Sequence, residues 1–281
     1  MSALARGSLT AGAIGLITIV VAFLILPIVA LLTYQPLHDL IAGFGTKVAT
    51  DAILVSLKTN VVAFVVMIAF GTPFAYILGR RRFPGRTLLI TLVEIPLVLP
   101  PAVAGLGLLV TFGRFGLLGS TVSALGLNLA FNQAAVVLAV LFVSSPFYLR
   151  GAIAAFEAID ETMIDVASTL GAGPVRRMLR IAIPLAGAGL GAAAAVAFAR
   201  GVGEFGATIL FAGSLQGSTQ TLPLAVYSLF DANLDQAIAI GVLLILVSAA
   251  ILLTSKLLMR SWISSTSTSR FPDDRSSFAP H

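Results

Sequence analysis

The first apolar stretch of the chain reads AGAIGLITIVVAFLILPIVALLT, residues 11–33, and contains no charged side chain. A helix of about 20 apolar residues is long enough to cross a hydrocarbon core about 30 Å thick. Arg6 precedes this stretch, as a basic residue precedes the apolar core of a signal peptide. Such a core is only about 7–15 residues long. The sequence therefore predicts an uncleaved first membrane helix.

The composition of the whole chain agrees with a lipid environment. Of the 281 residues, 58% are hydrophobic and 10% are charged, whereas about 25% of the residues in a soluble domain are charged. Cysteine is absent, and the two histidines are His38 and His281. This composition excludes disulfides and thiolate chemistry and leaves no Cys/His metal cluster. We expect neither a metal nor a cofactor in this chain.

Further apolar stretches predict five more membrane helices, at 55–78, 88–112, 133–152, 185–205 and 234–258. The fold class that follows is an all-α integral membrane protein of about six spans. Residues 1–10 form an N-terminal segment, and 11–258 form the membrane domain. The Ser/Thr-rich tail at 259–281 is expected to be disordered.

Individual residues refine this picture of the spans. Pro96, Pro100 and Pro101 predict a kinked or broken third span. Lys58 and Asn60 interrupt the start of the second span, which places that part at the membrane interface.

The distribution of Lys and Arg predicts the orientation of the chain. Segments on the same side of the membrane as the N-terminus hold thirteen of the 17 basic residues: Arg6, Arg80, Arg81, Arg82, Arg86, Arg150, Arg176, Arg177, Arg180, Lys256, Arg260, Arg270 and Arg275. The opposite loops hold only Lys47 and Arg114. Because cytoplasmic segments carry the excess of basic residues, both termini are predicted to be cytoplasmic. The net charge of +5 is then a topology signal, and we expect contact with lipid rather than with nucleic acid.

The longest segment on the cytoplasmic side, residues 153–184, has the pattern of two helices joined by a turn. Asp160 is placed to cap the first helix, and Gly171 and Pro174 separate it from the second. Apolar residues at helical spacing predict one face of the first helix: Met163, Val166, Ala167 and Leu170. The pattern leaves two interpretations open, a hairpin lying on the lipid surface and a docking element for a soluble partner.

The same segment resembles a known family motif. Asp165-Val-Ala-Ser-Thr-Leu-Gly171, followed after nine residues by Ile181-Ala-Ile-Pro184, is similar to the EAA loop of bacterial ABC importer permeases. The family pattern reads E-A-A, three residues, G, nine residues, I-x-L-P. Asp165, Val166 and Ile183 depart from it conservatively.

The resemblance implies a fold, a role and a set of partners. The fold is that of a type I ABC importer permease in the plasma membrane of a prokaryote. The implied coupling residues are Asp165, Ala167, Gly171, Ile181 and Pro184, on a loop that docks on an ATPase. The implied partners are two ATP-binding subunits, a second permease copy and an extracytoplasmic binding protein. The chain has no phosphate loop, so it is not expected to be an enzyme, and ATP and Mg²⁺ belong to the partner ATPase.

A second stretch, Arg200-Gly-Val-Gly-Glu204-Phe-Gly-Ala-Thr208 and onward to Gly213, resembles molybdate and tungstate permeases. Sulfate and thiosulfate permeases share much of it, so the oxyanion stays open. The resemblance implies a gate or anion path at Arg200, Glu204 and Thr208. The spacing of Arg200 and Glu204 allows an ion pair one helical turn apart, which is either structural or part of anion contact.

Two further features of the sequence were weighed against other functions. Gly201, Gly203 and Gly206 satisfy G-x-G-x-x-G, but no strand is predicted before them, so packing near a gate is the expected role. Gly187 and Gly191 predict close approach of a neighbouring helix. Glu94 is expected to be a structural or gate residue, because a carboxylate repels a dianion.

Two other classes of membrane protein remain as alternatives. An ion-coupled secondary transporter would be expected to carry ionisable residues in mid-span or an internal repeat. A membrane enzyme would be expected to gather catalytic side chains on one face. The sequence favours neither class.

Overall fold

The computed structural model describes residues 3–267, and all regular structure in that range is helical. The predicted all-α class is confirmed. The helices are, in order, α1 (Ala3–Thr33), α2 (Leu37–Phe44), α3 (Lys47–Arg80), α4 (Arg86–Val98), α5 (Pro101–Phe112), α6 (Gly119–Ala124), α7 (Gln133–Glu157), α8 (Glu161–Thr169), α9 (Pro174–Arg177), a π-helical turn (Met178–Ala182), α10 (Ile183–Val202), α11 (Gly206–Ala212), α12 (Leu222–Leu229) and α13 (Leu234–Ser267).

Five helical segments in the described range are long and apolar enough to cross a membrane: Ala13–Thr33, Lys47–Arg80, Gln133–Glu157, Pro174–Val202 and Leu234–Thr254. The pair α4 and α5 makes a sixth candidate, with a bend of 113° between its arms. The prediction of about six spans is confirmed, and the chain is a multi-pass membrane protein.

The break between α4 and α5 comes from consecutive prolines. Leu99 and Pro100 are extended, and Pro101 starts α5. A residue before proline is pushed out of the α region, and proline suits the first helical turn. The predicted interruption of the third span is therefore confirmed, and α5 does not continue in the direction of α4.

The second span starts earlier than predicted, because Thr46 caps α3 and accepts a hydrogen bond from the Ala49 amide at 3.4 Å. Asn60 is buried within the protein. It is 4% exposed, and its Nδ2 donates to the Ser56 carbonyl at 2.9 Å. These polar side chains lie inside the protein.

The core lies where α7 packs between α3 and α10. Small residues bring the helices close: a Cβ at Gly151 would lie 2.6 Å from the Ala193 Cβ, and one at Gly189 would lie 2.6 Å from the Ala155 Cβ. A Cβ at Gly191 would meet no atom within 4 Å. The close approach predicted at Gly187 and Gly191 is therefore not seen at Gly191, and the close contacts between α7 and α10 are at Gly151 and Gly189.

The first span is helical as predicted, and the C-terminal end of the described range differs from the expectation. α1 contacts α13, and its apolar side chains from Ile14 to Leu32 are exposed. α13 continues to Ser267, so residues 259–267 of the predicted tail are helical. Residues 1–2 and 268–281 lie outside the described range.

Candidate functional site

The loop between α7 and α10 contains α8, the helix that the sequence predicts to follow Asp160. The Asp160 carboxylate accepts a hydrogen bond from the Thr162 amide at 2.9 Å, and this bond lowers the pKa of Asp160. The predicted N-cap is confirmed. Because the carboxylate satisfies a free amide in the first turn of α8, it fixes where this helix begins.

Gly171 ends α8 in the left-handed region, with φ +81°. The Ala172 amide donates to the Ala167 carbonyl at 3.0 Å, and the Gly171 amide donates to the Ser168 carbonyl at 3.0 Å. This αL turn closes the helix end, and glycine accepts it without steric cost. Gly171 therefore ends the first helix of the loop, as the sequence predicts.

The apolar face of α8 divides in a way that the sequence did not predict. Ala167 is buried as predicted, but the other buried residue of α8 is Ile164, which is not part of the predicted face. The other members of the predicted face point outward, with exposed fractions of 56% at Met163, 53% at Val166 and 81% at Leu170. α8 thus presents an exposed apolar ridge beside Asp165, which is also exposed and makes no ion pair among the described residues.

The second arm of the loop is continuous with the fifth span, whereas the sequence predicts a separate helix before Pro184. The Ile183 amide donates five residues back, to the Met178 carbonyl. Pro184 has no amide hydrogen to donate, and the π-helical turn carries the helix past it. Ile181 packs partly buried against the core, and Pro184 is exposed. The loop and the span therefore form one helical segment from Pro174 to Val202.

One contact holds the two arms of the loop together. The Arg177 guanidinium donates to the Ser168 hydroxyl. This hydrogen bond ties α8 to the start of the helical segment that enters the span.

At the other end of α10, Arg200 and Glu204 form the ion pair that their spacing predicts. The Arg200 Nη1 lies 2.7 Å from the Glu204 Oε2, and the Glu204 side chain is 1% exposed. The second carboxylate oxygen, Oε1, accepts from the Ala207 amide at 2.8 Å. Glu204 therefore neutralises Arg200 and caps the start of α11 at the same time.

The glycines of the G-x-G-x-x-G pattern lie at the turn between α10 and α11. A Cβ at Gly206 would lie 2.8 Å from the Pro101 Cβ, and one at Gly201 would lie 3.0 Å from the Asn60 Oδ1. The expected packing role is confirmed for Gly201 and Gly206.

Thr208, predicted to belong to the gate or anion path, is fully buried. Its hydroxyl has no hydrogen-bond partner in the described part of the chain. Thr208 therefore does not reach an open path in this conformation, whereas Arg200 stays partly exposed at 28% of its side chain.

Several arrangements carry no local sequence signal. A Cβ at Gly105 would lie 2.6 Å from the Ala207 carbonyl oxygen, so α5 and α11 touch backbone to backbone. In the loop after α11, the Gln220 Nε2 donates to the hydroxyls of Ser214 and Ser228. The Gly105 contact joins segments about a hundred residues apart, whereas the Gln220 hydrogen bonds form within one short stretch of chain.

Two ion pairs join α4 to α7. Arg86 pairs with Glu157, and the Arg150 Nε lies 3.6 Å from the Glu94 Oε1. Glu94, expected to be a structural or gate residue, thus has Arg150 as its ion-pair partner. Among the described residues, no group of three or more His, Cys, Asp or Glu side chains could hold a metal ion.

Comparison with known proteins now decides the family. Residues 71–263 match the family described as "Binding-protein-dependent transport system inner membrane component". The chain belongs to this family. A relative from Mycobacterium tuberculosis, "Molybdenum transport system permease protein ModB", is 40% identical over 83% of this chain and 88% of its own length.

Two other comparisons extend this result. The "Probable sulfate transport system permease protein cysT" of Nephroselmis olivacea is 32% identical over 82% of each chain. A crystal structure of a bacterial alginate ABC transporter in complex with an alginate pentasaccharide-bound periplasmic protein has a TM-score of 0.68. It covers 91% of this chain and 96% of its own at 18% identity. At that identity the structural likeness concerns the fold, which is that of the inner membrane component.

In this inner membrane component the predicted residues gather at two places rather than one. Ile181 and Pro184 lie at one end of α10, beside α8, and Arg200 and Glu204 lie at the other end. The 20 residues of α10 span about 30 Å. A continuous helical segment thus connects the loop that contains α8 to the turn that Glu204 holds.

Proposed function

We propose that this chain is the pore-forming permease subunit of an ATP-driven importer for an oxyanion, molybdate or tungstate. The observation that carries the mechanism is the continuous helical segment from the α8 loop to the Arg200–Glu204 turn. A force applied at the loop is transmitted along such a segment to the far side of the membrane. The 40% identity to a molybdenum transport permease supports the choice of substrate.

The proposal gives the exposed ridge of α8 an occupant. Met163, Val166 and Leu170 form an apolar surface that fits a groove on an ATP-binding subunit, in the manner of a helix in a groove. Asp165, Ala167 and Gly171 complete the coupling element. The full assembly contains two permease copies, two ATP-binding subunits and an extracytoplasmic binding protein. ATP and Mg²⁺ bind on the ATP-binding subunits, since this sequence contains no phosphate loop.

An uptake measurement tests the proposal. The permease, its ATP-binding subunits and its binding protein are reconstituted in liposomes, and the accumulation of labelled molybdate is followed with and without ATP. We expect accumulation only when ATP and the binding protein are both present. Accumulation driven by an ion gradient without ATP would instead indicate a secondary transporter.

Sulfate is the alternative substrate, favoured by the identity of 32% to a sulfate permease. Calorimetric titration of the binding protein with molybdate, tungstate, sulfate and thiosulfate separates these possibilities. A binding protein that holds sulfate tightly and molybdate weakly would move the proposal to sulfate import.

The proposed orientation places both termini and α8 in the cytoplasm. Cysteines introduced singly at Ser120 and Leu215, which are exposed, are expected to react with an impermeant maleimide in intact cells. Thr169→Cys on the opposite side is expected to react only after lysis. The native chain contributes no background, because it has no cysteine. Labelling of Thr169→Cys alone in intact cells would reverse the topology.

Gly171→Val is expected to uncouple ATP hydrolysis from uptake. Its φ of +81° costs a residue with a Cβ about 1–2 kcal/mol, which distorts the end of the coupling helix. The spans do not contact this position, since a Cβ there would meet no atom within 4 Å. The measurements are complex formation with the ATP-binding subunits, stimulated hydrolysis and molybdate uptake.

Gly173→Val is the matched control for this variant. Gly173 is two residues away and equally open, but its φ of −66° suits any residue. It is expected to retain wild-type coupling. If Gly171→Val assembles, hydrolyses ATP and imports molybdate as Gly173→Val does, Gly171 has no coupling role.

A further inference from the structure

Two ion pairs between α4 and α7 lie at different depths and form two rungs between these helices: Arg86–Glu157 and Glu94–Arg150. Arg86 and Glu94 are eight residues apart on α4, and Glu157 and Arg150 are seven residues apart on α7. Eight residues of α-helix rise about 12 Å. Arg86 lies at the start of α4, beside the loop 81–85 that the proposed topology places in the cytoplasm. The Glu94–Arg150 rung therefore lies about 12 Å further into the membrane.

This deeper rung is not covered by the described chain. The side chains of Arg150 and Glu94 are 72% and 39% exposed. Arg150 opens into a groove of about 590 Å³ between α7 and α10, whose other lining residues are mostly apolar or small. Charged side chains at membrane depth face the protein interior or a water-filled cavity rather than lipid. This face of the chain consequently borders an aqueous space or a second copy.

Arg150 differs from Arg86, the arginine of the other ion pair, in its hydrogen bonds. Its guanidinium lies 3.6 Å from the Glu94 carboxylate, beyond hydrogen-bond distance, and it makes no hydrogen bond with the described residues. Arg86, in contrast, donates to both Glu157 and the Leu78 carbonyl. Arg150 thus holds a full set of free N–H donors at the mouth of a groove.

We propose that Arg150 is the cationic contact that the oxyanion meets on the cytoplasmic half of its path, an inference that rests on the proposed import function. The planar fork of a guanidinium matches the oxygens of a tetrahedral oxyanion and binds them in pairs. Glu94 leaves the site with no net charge. It competes with the oxyanion for Arg150 and keeps the contact weak enough for release.

A cysteine at position 150 tests this contact directly in the reconstituted complex, since the permease has no cysteine of its own. Loss of charge-assisted hydrogen bonds is expected to lower molybdate uptake by Arg150→Cys about tenfold. Modification with a cationic ethylammonium methanethiosulfonate should restore uptake, and the anionic ethylsulfonate reagent should not. Millimolar molybdate should slow the modification.

Arg86→Cys is the matched control, because it removes the arginine of the other rung. Its modification is expected to proceed at the same rate with and without molybdate. Equal restoration of Arg150→Cys by both reagents, lack of protection by molybdate, or wild-type uptake by unmodified Arg150→Cys would each overturn the proposal. Absence of reaction with either reagent would also overturn it, since a contact on the path is open to water.

A second variant keeps the proposal testable if Arg150→Cys does not assemble. Glu94→Gln removes the competitor, so wild-type amounts of complex are expected with a lower maximal uptake rate, because release becomes slower. An unchanged maximal rate in a normally assembled complex would overturn the role of Glu94 and Arg150. Failure of the wild-type complex to import any oxyanion would instead refute the proposed function.

Discussion

Replacing Arg200 by alanine is expected to destabilise the folded chain by about 3–5 kcal/mol, the usual cost of removing one partner from a buried ion pair. The reason is that Glu204 stays in place with 1% of its side chain exposed. Among the described residues, its Oε2 has no hydrogen-bond partner other than this pairing. The measurements are the yield of monodisperse protein after detergent extraction and the midpoint of thermal unfolding.

The variant Arg200→Ala/Glu204→Gln separates charge from packing. A glutamine at 204 removes the uncompensated charge and keeps an oxygen for the Ala207 amide that Glu204 now caps at 2.8 Å. We expect this double variant to recover most of the yield lost by Arg200→Ala. Arg114→Ala removes an exposed arginine that pairs with no carboxylate in the described range, and it should resemble the wild type.

A different outcome would assign Arg200 to the anion. If Arg200→Ala folds normally while molybdate uptake falls and becomes more sensitive to salt, the side chain acts on the oxyanion instead. Normal yield together with normal uptake would remove Arg200 from both roles. The partial exposure of Arg200, 28% of its side chain, makes the two roles separable by this comparison.

Local features of the fold were predictable because their causes lie within a few residues. The Arg200–Glu204 pair follows from a spacing of four residues across the end of α10. The break at Leu99–Pro101 follows from the conformational limits of proline. The turn at Gly171 follows from a glycine after an apolar helical run. In each case the sequence itself contains the group that imposes the conformation.

The direction in which a side chain faces was less predictable, because helical periodicity identifies a face without identifying what covers it. Met163, Val166, Ala167 and Leu170 share a pattern, yet only Ala167 is buried. Asn60 interrupts an apolar stretch, and the sequence does not show that it is buried beside Ser56, whose hydroxyl accepts from the Leu222 amide at 2.8 Å. A partner 166 residues away has no local signal.

For the residues of the candidate anion path, too, the sequence did not predict which side chains meet or are accessible. Glu94 and Arg150 are each visible in the sequence as isolated charges, but their pairing depends on the antiparallel packing of α4 against α7. Thr208 matches the permease-like stretch, yet its position in α11 buries it completely. Resemblance therefore identified the segment that matters, and the fold decided which of its side chains are accessible.

Gly105→Val is expected to be the other severe variant, because α5 and α11 meet at this glycine with no space for a side chain. A Cβ at position 105 would lie 2.6 Å from the Ala207 carbonyl oxygen and 2.7 Å from the Ala207 Cα. Both are backbone atoms, so no rotamer change relieves the overlap. Inserting side-chain atoms into a close-packed site costs about 1–3 kcal/mol or more, and a valine here should reach the upper end. We expect low yield of monodisperse protein and a lowered thermal midpoint.

Gly107→Val is the control that isolates the crossing from the general effect of valine in α5. Gly107 lies in the same helix, and a Cβ there would meet no atom within 4 Å, so the same substitution should leave yield and thermal midpoint close to wild type. Equal loss in both variants would mean that α5 tolerates no valine, whatever its neighbours. Normal behaviour of Gly105→Val would mean that α5 moves away from α11 at little cost. The contact beside Glu204 and Ala207 would then be a loose one, and the Arg200–Glu204 pair alone would hold this turn.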